Sequence, residues 1–186
     1  MKKVLAISPR FPPTNAPDHQ RLRMALPHFK AAGWDVTVLS VEPGEIEAGQ
    51  DPLLCRSLPK DLEIHRVNPV PTRWTRCFGF GGLAYRSWFA IDRAACRYLK
   101  GGDYDLVLFT TTEFPLMALG PKLLKKFGVP YVIDLQDPWV TDHYAKNPDQ
   151  RKPGGSFKHG ASQWLARRLE SMVMRNADKI FTVSPA

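Results

Sequence analysis

Short apolar runs of strand length alternate with helix-length amphipathic stretches along the whole chain, and no other feature of the sequence narrows its fold so far. The strand-like runs are KVLAIS (3–8), DVTVLSV (35–41), LEIHRV (62–67), DLVLFT (105–110), PYVIDL (130–135) and KIFTVS (179–184). DLVLFT and PYVIDL are almost continuously apolar, the pattern of central parallel strands covered on both faces; LEIHRV leaves only one face apolar. Between them, apolar residues recur at helical spacing. Leu22, Leu26 and Phe29 form one set; Ala84, Trp88, Ile91, Ala95 and Tyr98 a second; Leu116, Leu119, Leu123 and Phe127 a third. The last set is Ala161, Trp164, Leu165, Leu169, Met172 and Val173, which predicts a helix over about 160–175 with one apolar side. Pro115 opens the third helix and Gly128 stops it, while Pro27 and Pro121 predict a kink or broken turn inside their helices. This alternation predicts an α/β fold: one Rossmann-like domain over 1–186, a doubly wound, mostly parallel sheet with helices on both faces. Two irregular segments, 42–61 and 138–158, are long for a domain of this kind, and loops of that length are commonly functional or mobile.

Composition then removes several classes. A hydrophobic share of 44% over 186 residues supports a proper core. No run of eighteen apolar residues exists to span a membrane, and VLAIS after Met1-Lys2-Lys3 is strand length, too short for a signal peptide. The expected compartment is the cytosol, with peripheral contact to the inner face of the cell membrane as a further expectation. Cys55, Cys77 and Cys96 are odd in number and far apart, so neither a zinc site nor a disulfide framework is predicted. The net charge of +8 favours anionic partners: nucleotide phosphates, nucleic acid or an anionic membrane. The charge is spread out and no nucleic-acid reading motif is present, so nucleic acid is the least favoured of these. There is no GxGxxG after the first strand and no GxxxxGK[ST], which argues against a dinucleotide dehydrogenase or a P-loop enzyme. RWTRCFGFGG (73–82) interleaves Arg73 and Arg76 with Trp74, Phe78 and Phe80, a composition suited to an anionic interface or to a loop packing its aromatics inward.

In an open parallel sheet, ligands bind beyond the carboxyl ends of the strands. Arg10 and Asp18-His19-Gln20-Arg21 follow the first strand, and Thr110-Thr111-Thr112-Glu113 end the fourth. Asp134, Gln136, Asp137, Trp139, Asp142 and His143 gather at the end of the fifth. The polar residues of the sheet therefore collect at one edge, which predicts a cleft. Each has a purely structural alternative. Asp18 suits a positive helix N-terminus; Arg21 and Arg23 suit a solvated helix face; Thr112 suits a cap for the helix that Pro115 begins. Glu113 complements that helix's dipole, Trp139 is a packing residue or a sugar platform, and His19 and His143 read as exposed loop residues. Asp134 and Asp137 are harder to explain structurally, because a buried strand does not end in two carboxylates without a partner. No spacing of His, Asp or Glu matches a metal site.

Three stretches carry a resemblance. KVLAISPRFPP resembles a first strand followed by a Phe-Pro-Pro turn. ALPHFKAAGWDVTVLS resembles the helix and second strand that come after it. PYVIDLQDPW, with ADKIFTVSPA after it, resembles a domain end in which an acidic Asp-x-x-Asp-Pro-Trp precedes a helix and a last strand. In this order and spacing, nearly the whole chain resembles the N-terminal domain of a glycosyltransferase of the two-Rossmann GT-B architecture, most like family 4. The family's turn commonly runs into a Gly-Gly pair; here Thr14-Asn15-Ala16-Pro17 stands instead, so side chains such as Asn15 and Arg21 would have to meet the donor.

The resemblance implies a parent enzyme that moves a sugar from a nucleotide-sugar donor to a glycan or lipid-linked acceptor with retention. This domain would hold the acceptor and form one wall of the donor cleft. The C-terminal nucleotide-sugar-binding domain would be absent from this chain, the fragment inactive alone, and no cofactor needed beyond the donor substrate. Asp137, supported by Asp134, is then the candidate for contacts to reacting hydroxyls. Arg10, Asn15, Asp18 and Arg21 would line the cleft, Arg21 reaching a phosphate, with Glu113 and Trp139 on the acceptor. The competing expectation is a stand-alone Rossmann-like module that binds a small ligand or partner without chemistry.

Overall fold

In the computed structural model, which describes residues 1–75, 81–140 and 156–182, all six runs become strands. They are β1 (Lys2–Ile7), β2 (Trp34–Val41), β3 (Glu63–Val67), β4 (Leu106–Thr110), β5 (Tyr131–Leu135) and β6 (Lys179–Thr182). They pair in parallel in the order β3-β2-β1-β4-β5-β6, so the chain winds outward from β1 in both directions. The helices are α1 (Gln20–Ala31), the single turn α2 (Thr72–Thr75), α3 (Leu83–Lys100), α4 (Leu119–Phe127) and α5 (Ser156–Asn176). The doubly wound α/β fold expected from the alternation is the fold of the molecule.

Side-chain alternation divides the core in two. Leu5, Ile7, Val107, Phe109, Tyr131 and Ile133 face α3, α4 and α5, where Ile91, Ala95, Leu119, Leu123 and Val173 meet them. Val4, Ala6, Val38, Leu108 and Val132 face the other way, toward Leu22 and Leu26 of α1 and the loop residue Phe11. Burying a side chain of this size contributes about 1.5–3 kcal/mol. Three helices therefore cover one face and α1 the other. At the β6 edge, Ile180 and Phe181 are exposed.

The prolines act differently from one another. The α1 helix runs unbroken through Pro27. The helix predicted over 115–127 is divided: a 3-10 turn (Phe114–Ala118) containing Pro115 leads into α4, and Pro121 falls in the first turn of α4, where its missing N–H costs nothing. Gly128 stops α4 at φ 72°, its N–H bonded to the Leu124 carbonyl 2.8 Å away. The stripe predicted for the last helix is not a single face. Val173 is buried, but Trp164, Leu165 and Met172 are exposed. At about 100° per residue, Trp164 lies half a turn around the helix from Val173. The side chain of Ala161, and Arg76, Cys77, Phe78, Phe80, Asp142 and His143, lie outside the described residues.

Candidate functional site at the carboxyl edge of the sheet

The carboxyl ends of β1, β4 and β5 align because their registers do: Ile7 lies beside Phe109, and Thr110 beside Asp134. The loops that leave these three strands are thereby brought to one place. After β1 the chain turns through Pro9–Pro13 with Phe11 fully buried, then is strapped to the segment after β2. Asn15 N–H donates to the Gly49 carbonyl at 2.7 Å, and Asp51 N–H to that of Pro13 at 2.7 Å. This turn carries Asp18 and His19 inward on a short 3-10 segment.

His19 was expected at the surface and is instead fully buried, edge-on to Phe11. Its Nε2 lies 2.8 Å from the Thr14 carbonyl oxygen, an acceptor, so the proton resides on Nε2. Nδ1 is buried with no partner among the described residues. Burial lowers the His19 pKa, outweighing the Thr14 bond and the Asp18 charge that raise it.

Asp18, 1% exposed, is the floor of the site. Its Oδ2 accepts from Arg10 at 3.4 Å, Thr111 at 3.4 Å and Thr112 at 3.5 Å. Arg10 also pairs with Glu113. The other Glu113 oxygen accepts from Ala84 N–H at 2.8 Å, in the first turn of α3. Glu113 thus complements the dipole of α3, not that of the helix it precedes. Thr112 does not cap that helix either. Its hydroxyl is drawn to Arg10 and Asp18, and the Thr111 hydroxyl accepts the Glu113 N–H at 2.9 Å.

A second cluster sits on β5. Asp134 is buried and pairs with Arg21 at 2.6 Å; it also accepts from Thr110 at 3.1 Å and Gln136 at 3.2 Å. Burial raises the Asp134 pKa against the lowering effects of Arg21, Thr110 and Gln136. Gln136 joins the clusters, donating to the Asp18 carbonyl at 2.6 Å. Arg21 therefore meets a carboxylate where a phosphate contact was expected. Asp137 and the Asn15 side chain are exposed, and Trp139 stacks on Phe114 with ring centres 5.7 Å apart. The structure brings together Arg10, Asp18 and Glu113, and beside them Arg21 and Asp134. Asp137, Asn15 and Trp139 stay outside both clusters. Among the described residues, no group of His, Cys, Asp or Glu is placed to hold a metal.

The family description "Glycosyl transferase 4-like domain" matches residues 19–186. The chain belongs to that family. No curated protein matches it. Among solved structures, MurG of Acinetobacter baumannii aligns over 100% of this chain and 42% of its own, at 14% identity and a TM-score of 0.55. UGT2 of Phytolacca americana, solved with UDP-2fluoro-glucose and pterostilbene, aligns over 98% of this chain and 46% of its own, at 14% identity and a TM-score of 0.51. The glycosyl transferase 4-like domain described here spans less than half the length of either.

Sequence reasoning missed one wall of the site. A cavity of about 250 Å³ opens beside Arg10, lined also by Glu45, Glu47, Arg86, Glu113 and the Gly82-Leu83 turn. Arg86 is 4% exposed and donates to the Val70 carbonyl at 2.8 Å, the Glu45 carbonyl at 3.3 Å and the Glu45 carboxylate at 3.1 Å. It lies about 140° around α3 from Ile91, five residues at 100° each, well away from the apolar stripe. Two loops bury it, and the helical pattern carries no sign of that.

Proposed function

We propose that this domain holds the acceptor for a retaining sugar transfer from a nucleotide-sugar donor. The observation that carries the reading is the linked cluster Arg10–Asp18–Glu113 and Arg21–Asp134, fixed at the carboxyl edge of a parallel sheet beside a cavity. Family membership supports the transfer chemistry. An acceptor hydroxyl oxygen bonds to the anomeric carbon of the donor on the face that the diphosphate leaves. The carbon–phosphate oxygen bond breaks, and the hydroxyl proton passes to the departing phosphate. No protein nucleophile and no cofactor enter this scheme. Asp137, exposed after β5, is left to contact hydroxyls of the reacting sugars, and Arg21 reaches a donor phosphate by leaving Asp134.

The tests use the protein as its own cell makes it. An intact mass of roughly 40 kDa, two Rossmann-sized domains, is expected, and a mass near that of this chain favours a stand-alone binding module. In that protein Asp137→Asn is expected to lower turnover, and Arg21→Ala to weaken donor binding. Unchanged turnover and unchanged donor affinity would remove those two roles.

A specific surface favours a second partner, an anionic membrane. Val70 N–H bonds to the Arg86 carbonyl at 2.9 Å, which sets the 70–75 segment against α3. Val70, Trp74, Tyr85 and Phe89 are all exposed there, with exposed Arg73, Arg93 and Arg97 nearby in sequence. Among the described residues no helix is long and apolar enough to cross a membrane, so contact would be peripheral. Co-sedimentation with anionic vesicles is expected to fall when Phe89 and Arg93 are replaced by Ser and Gln; equal binding would remove this partner.

A further inference from the structure

Resting on the acceptor-holding reading, we infer that the cavity beside Arg10 takes a neutral, hydroxyl-rich acceptor group and excludes one that bears a phosphate or carboxylate. The chain as a whole, at +8, favours anions, but its cavity does not. Among the described residues, the charged groups that line it are two arginines and three glutamates, one negative charge in excess. Each positive feature already has its counter-charge. Arg10 pairs with Glu113 and lies 3.4 Å from Asp18. Arg86, nearly fully buried, uses its guanidinium on Glu45 and on two backbone carbonyls. The N-terminus of α3 would ordinarily attract an anion, yet its Ala84 N–H is taken by the Glu113 carboxylate.

Negative charge, in contrast, remains to be answered. Glu47 lines the cavity, exposed, with no ion pair or side-chain hydrogen bond among the described residues. A carboxylate only accepts hydrogen bonds, and hydroxyl groups supply donors without adding charge. An incoming anion would have to displace an existing carboxylate from Arg10 or Arg86, or lie against Glu47 unpaired. At about 250 Å³ the space is just below the roughly 300–1,000 Å³ of sites for drug-sized ligands, which suits one sugar ring.

The test is ligand-observed NMR on this chain with matched probes: methyl hexopyranosides, the same hexoses as 6-phosphates, and the corresponding uronic acids. Neutral pyranosides are expected to bind at least about tenfold more tightly than either anion, since like charges juxtaposed at a site oppose binding. Glu47→Lys is expected to narrow or reverse that preference, and Glu47→Gln to weaken the neutral sugars with little gain for the anions. Because Glu47 is exposed in a loop, both variants are expected to fold as the parent does. Tighter binding of the phosphates or uronates by the unaltered chain overturns the charge inference and leaves the acceptor-holding reading standing. Saturation by none of the three probe classes overturns both.

Discussion

Glu113 ties three parts of the domain together, and its removal is the sharpest test of how the site is built. Its side chain, 13% exposed, pairs with Arg10 and accepts the Ala84 N–H at the start of α3. Loss of a side-chain cap costs about 1 kcal/mol. Loss of a hydrogen bond to a charged group costs about 1.5–3 kcal/mol. Arg10 is 27% exposed and keeps Asp18 as a second partner, so the lower part of that range applies. Glu113→Ala should therefore destabilise the domain by about 2–3 kcal/mol. Glu113→Gln retains an oxygen for Ala84 and loses only the charge, so about 1 kcal/mol is expected. With a urea slope of about 2–3 kcal/mol/M, the Ala variant should unfold about 1 M earlier and the Gln variant less than half as far. Circular dichroism at fixed pH, with the slope unchanged between variants, reads this directly. An Ala variant within about 0.5 kcal/mol of the parent, the range of ordinary surface substitutions, would falsify the tie between the loops and α3. A Gln variant as damaged as the Ala variant would instead remove the capping share and leave only the charge.

Gly120→Ala should destabilise despite the better helix propensity of Ala, because an added Cβ would stand 2.7 Å from the buried Tyr131 ring. That ring is held by its hydroxyl on the Val173 carbonyl at 2.6 Å, and a net loss of about 1–2 kcal/mol by urea unfolding is expected; a gain shows that the ring yields. His19 has a lowered folded pKa, so the unfolded chain binds the extra proton first, and stability present above pH 6.5 is lost as pH falls from there toward the folded value. His19→Gln, which can still donate to Thr14, should flatten that slope as pH falls below the ordinary 6.5, and an unchanged slope points to another group. Asp134 has a raised folded pKa, so its contribution is fully present below its ordinary 3.8 and is lost as pH rises through the folded value. Asp134→Asn should remove that dependence, and retention of it in the acid limb of a pH–stability curve overturns the assignment.

Much of the fold was legible because its determinants are local or periodic. DLVLFT and PYVIDL read as covered strands, and they lie inside the sheet as β4 and β5, each paired on both sides. Pro121 and Gly128 marked real changes in the chain, since each constrains the backbone whatever surrounds it. Pro27 did not break α1, because its cost to one exposed helix is outweighed by packing of Leu22 and Leu26 on the sheet. The last helix misled for a geometric reason: six apolar residues within thirteen positions spread over half the helix circumference, wider than the stripe one packed face buries.

The site was legible as a location and not as a set of roles. The edge rule placed Arg10, Asp18, Arg21, Glu113 and Asp134 correctly in one region, since strand register alone brings their loops together. Which carboxylate meets which arginine depends on loop paths that no periodicity encodes. His19 is buried by a proline-turned loop, Arg86 by two loops on a helix flank, and Glu113 caps a helix that precedes it in the chain by some thirty residues. Net charge carries no such local detail either. A sum over 186 residues weights every exposed lysine equally, whereas a ligand meets only the few groups within a Debye length, about 10 Å, and chiefly those without a partner. In this cleft the arginines are neutralised by the same short contacts that build its walls. What is left there to recognise a ligand is the Glu47 carboxylate, unpaired among the described residues, and a carboxylate accepts from hydroxyl donors.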